Sequence, residues 1–281
     1  MNARPPVDPQ RIEAMRRLLP QAFAQPPGRR LRFWLAVLGL ALLTAYCLWR
    51  FDFAPARLIA GAGELGGILA QLFPPAPGDH PRDIFWALLE TIAMAFIGTF
   101  LAAALSVPLA FLASRNTFPF RLPRFAIRRV FDGLRGIDQL IWALIFVRAV
   151  GLGPLAGIMA IFISDTGTLA KLFSESIENV DRKAGDGMRA AGAGRLQVIR
   201  YGVLPEVLPM FLSSTLYLFE SNVRSATILG IVGAGGIGFQ LSDRIRAHNW
   251  EEACFILILI LVAVAIIDAV SKRLRAYLIG D

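Results

Sequence analysis

Cysteine and histidine are nearly missing from this sequence: 281 residues hold two of each. Cys47 and Cys254 each lie inside an apolar run, where no oxidising compartment could pair them, so no disulfide framework is implied. His80 and His248 stand alone. Without H-x-x-x-H or C-x-x-C spacing the chain offers no His or Cys set for a transition metal, and no metal is expected. Charge is also scarce, at 18% of residues, where soluble domains carry about 25%. No G-x-x-x-x-G-K-[ST] run occurs, so phosphate cradling by a P-loop is excluded; no cofactor is implied.

What fills the space is apolar. Hydrophobic residues make up 56% of the chain, above the roughly 45–50% of soluble domains, and they fall in long runs. A helix needs about 20 residues to cross a hydrocarbon core of about 30 Å, and several runs qualify. The formal charge of +8, from 29 Lys+Arg against 21 Asp+Glu, would suggest nucleic acid in a soluble protein. Here the basic residues cluster in short segments between apolar runs, as in cytoplasmic loops of membrane proteins, and no nucleic-acid partner is expected.

Residues Met1 to Arg32, rich in Pro and Arg, read as a cytoplasmic basic tail with a short helix over Arg11 to Leu19. Residues 33–281 read as one membrane domain. The first span is Phe33 to Trp49, too long for a cleaved signal. Arg50 to Asp83, slightly acidic and Pro-rich towards its end, reads as an outside loop. Ile84 to Ala113 is the second span, with Pro108 placed to kink its inner end. The loop from Ser114 to Gly136 carries Arg115, Arg121, Arg124, Arg128, Arg129 and Arg135 against Asp132 alone, and so belongs in the cytoplasm.

Ile137 to Val150 and Pro154 to Phe173 form an apolar hairpin turning at Gly151-Leu152-Gly153-Pro154. The polar block Ser174 to Glu206 returns the chain to the cytoplasm. Val207 to Phe219 opens another span, and Ala253 to Val270 is the last, ending in Lys272, Arg273 and Arg275. If the Gly-rich run Ala226 to Leu241 crossed fully, this basic end would lie outside. The expectation is therefore about six spans, both termini cytoplasmic, with Ala226 to Leu241 as a broken segment buried within protein. The fold class is all-α: a polytopic helical bundle in the lipid bilayer.

Gly233-Ala-Gly-Gly-Ile-Gly238 matches G-x-G-x-x-G by letter. That fingerprint works where a strand feeds a helix N-terminus, and here both flanks are apolar membrane sequence, so a nucleotide site is rejected. The block from Asp186 through Gly192 to Leu204-Pro205 carries a stronger signal. A short helix over Asp186 to Ala191, ended by Gly192, would present small and basic side chains, Arg189 and Arg195 among them, to a partner's groove. Pro205 can open the following helix without losing a donor.

This block resembles the E-A-A loop of ATP-binding-cassette importer permeases. Gly192, Leu204 and Pro205 fall at the family's positions. Asp186 stands where the family has Glu, Gly187 and Met188 where it has Ala, and Gly202 where it has Ile. Three further segments, Ile141 to Pro154, Leu169 to Glu178 and Glu220 to Gly238, look like the phosphonate permease (PhnE-type) family; together with the loop they cover most of Gly136 to Gly238.

The resemblance implies a MetI-like permease architecture over 33–281, with a coupling loop at 174–206. It also implies two copies of a cytoplasmic ATP-binding subunit, a periplasmic phosphonate-binding protein, and a second permease copy as a homodimer. The chain itself is then no enzyme; the ATPase is another subunit, and the site is the bacterial inner membrane. The substrate is a phosphonate or a related phosphorus oxyanion such as phosphite or phosphate. Another small solute, such as methionine, is the alternative within the family.

Ionisable residues near the membrane interior default to functional candidates. An anion path needs positive potential without tight capture, and Arg224 with Asn222 and Glu220, then Arg148, are its candidates. Arg224 can instead pair with Glu220 at (i, i+4). Asp165 and Thr166 carry the same ambiguity between transport and helix joining. A rival class, an intramembrane enzyme, requires a clustered nucleophile and base; neither histidine lies in a span, and Asp138, Asp165 and Asp268 are scattered in sequence.

Overall fold

The computed structural model describes residues 27–279, except Asp52 and Ala54. The helix expected over Arg11 to Leu19 lies outside the described residues, as does most of the basic tail. Every regular element among the described residues is helical, and the chain divides into two compact units, residues 1–67 and 68–281.

In the first unit, α1 (Pro27–Arg50) contains the expected first span. Its stretch Leu31–Arg50 is apolar enough to cross a membrane. Phe33 and Trp34 pack edge to face near one end, and Tyr46 lies against Trp49 near the other. Amphipathic rings at both ends suit the two membrane interfaces. The segment read as an outside loop instead holds a 17-residue helix, α2 (Pro55–Gln71). Its four glycines, Gly61, Gly63, Gly66 and Gly67, disguise the helix, because each weakens helix propensity by about 1 kcal/mol relative to Ala.

The second unit is built on α3 (Pro81–Ala113) and α6 (Pro154–Asn179). Their interface is made of small residues. Ala95, Ala102 and Ala160 are fully buried, and a Cβ added at Gly98 would stand 2.8 Å from Ile161. Lipid tails are as apolar as leucine, so helices in a bilayer gain from close van der Waals contact, which small residues permit. Gly157 serves the same purpose, opposite Met94 and Ala234.

Five helices are long and apolar enough to cross: Leu31–Arg50, Pro81–Ala113, Pro154–Asn179, Arg195–Ala234 and Trp250–Leu278. The sixth expected span is α5 (Gln139–Val150), only 12 residues, or about 18 Å at 1.5 Å per residue. It forms the short arm of the predicted hairpin. Between α3 and α5 lies the basic amphipathic α4 (Arg121–Gly136), whose Phe131 is buried with Ala113 and Ala170.

The span opened by Val207 to Phe219 is α8 (Leu204–Leu229), a continuous helix that also carries Glu220, Asn222 and Arg224. Glu220 and Asn222 are buried there with partners from other helices, so the helix need not stop to hydrate them. The break falls inside the Gly-rich run, after a π-turn over Gly230–Ala234. Gly236, at φ +72, reverses the chain into α9 (Gly236–Arg246), and the Ile237 N–H donates to Thr91 Oγ1 at 2.8 Å. A Cβ at Gly236 would collide with Thr91. The α5–α6 turn rests on the same break, Gly153 N donating to Gly233 O at 3.0 Å. The last helix is α10 (Trp250–Ile279).

Candidate functional site

The loop residues singled out by sequence fold as α7 (Arg182–Ala190), capped by Asp181, whose carboxylate accepts from Lys183 N. Gly192, at φ +86, ends it in a conformation that other residues resist. The chain returns through one turn, Arg195–Gln197, and a π-turn, Val198–Val203, into α8, with Pro205 in its first turn. Gly185 and half-buried Met188 face Gly202. An isoleucine at 202, as the resembled family has, would crowd that contact, whereas the glycine admits Met188.

The outer surface of this loop is left open. Asp186, Gly187, Arg189, Gly192, Arg195 and Pro205 are exposed, while Leu204 is half-buried. Arg189 pairs with Asp186 at 3.0 Å within α7. Leu196 and Tyr201, which the sequence reading passed over, are also exposed, at 81% and 60%. The base of the loop is fixed. Glu178 accepts from the Arg115 backbone N–H at 2.7 Å and pairs with Arg128, while Asn116 Nδ2 donates to Ile177 O at 3.0 Å. These bonds tie the segment after α3 to the end of α6.

A second constellation lies midway along the long helices. Asp165 (α6), Asn222 (α8), Thr99 (α3) and Gln139 (α5) form one network. Gln139 Nε2 donates to Asn222 Oδ1 at 2.9 Å and to Asp165 Oδ1 at 3.2 Å. Asn222 Nδ2 donates to Thr99 Oγ1 at 2.7 Å and to Asp165 Oδ2. Asp165 is 3% exposed, and no cation among the described residues pairs with it. Its carboxylate is held by neutral amide donors.

A cavity of about 370 Å³ adjoins this network between α5, α6 and α8. Asp138 and Asp165, far apart in sequence, both line it. Asp138 is engaged as the cap of α5, accepting from Leu140 N at 2.8 Å. Thr166 is turned elsewhere: its hydroxyl donates to Phe162 O at 2.6 Å, and its carbonyl accepts from Ser106.

The remaining candidates divide. Glu220, 8% exposed, meets Arg224 at 3.6 Å, as the (i, i+4) spacing predicts. It also meets Arg275 of α10 at 3.0 Å, a partner that no local pattern could show. Arg224 keeps 55% of its side chain exposed, on the same stripe of α8 as Tyr217 and Ile228. Arg148 is exposed near the end of α5 and joins neither cluster. Gln139, Thr99 and the serines of the cavity were missed; the available signal was a polar side chain inside an apolar run.

A family model described as "Binding-protein-dependent transport system inner membrane component" matches residues 106–279. The phosphite transport system permease protein PtxC of Stutzerimonas stutzeri is 37% identical over 86% of this chain and 86% of its own length. The phosphate-import permease protein PhnE of Mycolicibacterium smegmatis is 37% identical over 84% of this chain, which spans 44% of that longer protein. Among solved structures, a chain of the inward-facing MetNI methionine ABC transporter superposes with a TM-score of 0.59 at 21% identity, covering 69% of this chain and 95% of its own. That last likeness is one of fold.

Proposed function

The chain belongs to the binding-protein-dependent transport system inner membrane component family, and from that premise we propose that it is the permease subunit of an ATP-driven importer for a small phosphorus oxyanion. The observation that carries the substrate class is 37% identity, along most of both chains, to a permease named for phosphite. The chain is a multi-pass inner-membrane protein, without catalytic machinery of its own.

In this reading α7 docks on a cytoplasmic ATP-binding subunit. Its exposed Gly187, Gly192, Arg189 and Arg195, flanked by Leu196 and Tyr201, offer small, basic and apolar contacts together. The basic residues of α4 and of the end of α10 support a cytoplasmic position for both, as the basic tail read in the sequence does for the N-terminus. Two permease copies, two ATP-binding subunits and a periplasmic binding protein complete the assembly. The α8 stripe supports a second copy, because an arginine facing lipid at a helix centre costs about 2.5–3.5 kcal/mol. A partner copy would turn Arg224 towards a shared aqueous path, where its charge attracts an anion.

The test is uptake into proteoliposomes with an ATPase and a binding protein from the same organism. ATP-dependent accumulation of phosphite or a phosphonate is expected. Gly192→Val and Arg189→Glu should insert and assemble normally yet lose most uptake and most ATPase stimulation. Normal coupling in both variants would remove α7 from this role, and no accumulation of any phosphorus oxyanion by the unaltered complex would remove the substrate class.

A further inference from the structure

Many hydroxyl groups in the spans of this chain are satisfied in one way. Thr91, Thr166, Thr168, Thr215, Thr227 and Ser176 each donate to the carbonyl four residues earlier, the usual fate of a hydroxyl on a helix in lipid. Ser213, Ser214 and Ser271 do not, and neither do Ser164, Ser221 and Ser225. The last three line the cavity beside Asp165, and none of their hydroxyls has a partner among the described residues. Ser221 and Ser225 stand one turn apart on α8, Ser164 faces them from α6, and all three are half-buried. Arg135, at the end of α4, lines the same space and makes no side-chain hydrogen bond. A space of about 370 Å³ is larger than a tetrahedral oxyanion requires.

Three free hydroxyl donors and a guanidinium around one cavity are suited to the oxygens of such an anion. The two carboxyl groups of the cavity are engaged by the chain itself: Asp138 caps α5, and Asp165 accepts from Gln139 and Asn222.

We propose that the cavity between α5, α6 and α8 is a transit site for a small tetrahedral oxyanion, gripped by Ser164, Ser221, Ser225 and Arg135. This deepens the importer reading and rests on it for its biological use. A weak site is what transport requires, since tight capture would stop release.

The experiment measures occupancy directly, apart from uptake. In a Cys47→Ala, Cys254→Ala background, Ser221→Cys and, separately, Ser225→Cys are introduced into the full chain, purified with the subunits that accompany it. Alkylation by a small neutral thiol reagent is followed with hypophosphite or with chloride at equal ionic strength. Hypophosphite should slow alkylation at least threefold at either position, and chloride should leave it unchanged. Arg135→Gln should abolish the protection. Equal rates with and without hypophosphite at both positions would overturn the site even if the complex transports phosphite. Equal protection by chloride would overturn the selection for an oxyanion. Protection without uptake would leave the site standing and sink the importer reading.

Discussion

The Asp165 carboxylate and the Asn222 side-chain amide are bonded directly across α6 and α8, and Asn222 passes the same amide nitrogen on to Thr99 of α3 at 2.7 Å. One asparagine thus ties three helices. Removing it takes a donor away from a buried carboxyl group.

Asn222→Ala should therefore destabilise the protein by about 1–3 kcal/mol, the range for orphaning a buried polar group. Asp165→Asn removes the charge but keeps acceptors, and should be milder. Unfolding in mixed micelles of the two single variants and the double variant gives the coupling. Strictly additive losses would show that the two side chains do not depend on each other.

Glu220 has two cationic neighbours that differ in exposure. Arg224 keeps 55% of its side chain accessible, Arg275 only 19%. An exposed (i, i+4) pair is worth about 0.3–0.5 kcal/mol, whereas breaking a buried pair leaves an uncompensated charge and costs several times more. Arg275→Gln should lower the yield of folded protein, with Glu220→Gln restoring much of it. Arg224→Gln should leave assembly intact and lower uptake at least fivefold. Rescue of that uptake by Glu220→Gln would show that Arg224 acts through the pair and not on the anion.

Asp132 of α4 accepts from Lys171 of α6 at 2.9 Å, and that bond, aided by the charges of Lys171, Arg129 and Arg135, holds its carboxyl below the usual carboxylate range. A folded-state value below the unfolded one means that the ionised pair stabilises the protein above the ordinary carboxylate range. The contribution is lost as pH falls through the lowered value. The Tm difference between the unaltered protein and Asp132→Asn should be constant near neutrality and shrink on acidification below about pH 4. A gap that widened in acid would contradict the assignment.

The orientation rests on the basic α4 and the basic end of α10. Arg273 is exposed there. Arg273→Cys, in a background without Cys47, should react with a membrane-impermeant thiol reagent only after cells are permeabilised. Reaction in intact cells would place the end of α10 outside and reverse the topology.

Composition and the spacing of apolar runs determined that this chain is an all-helical membrane protein. Lipid cannot hydrate a backbone, so each long apolar run among the described residues had to become a helix, whatever its neighbours. The loop around Gly192 was legible for a similarly local reason, since a helix stop, an opening proline and exposed basic residues act within a few positions. The length of α8 was not legible. Glu220 and Arg224 interrupt an apolar run in sequence, and the pairing of Glu220 with Arg275, 55 residues away, is not local. The presence of α2 was hidden as well, because its glycines read as a loop.

The network at Asp165 belonged wholly to the tertiary structure. Thr99, Gln139, Asp165 and Asn222 come from four helices, and each alone is an unremarkable polar residue in an apolar stretch. Periodicity says which face of a helix is polar but not which other helix that face meets. The meeting is decided by small residues such as Gly98 and Ala160, which let α3 and α6 approach closely enough for side chains to bond across them.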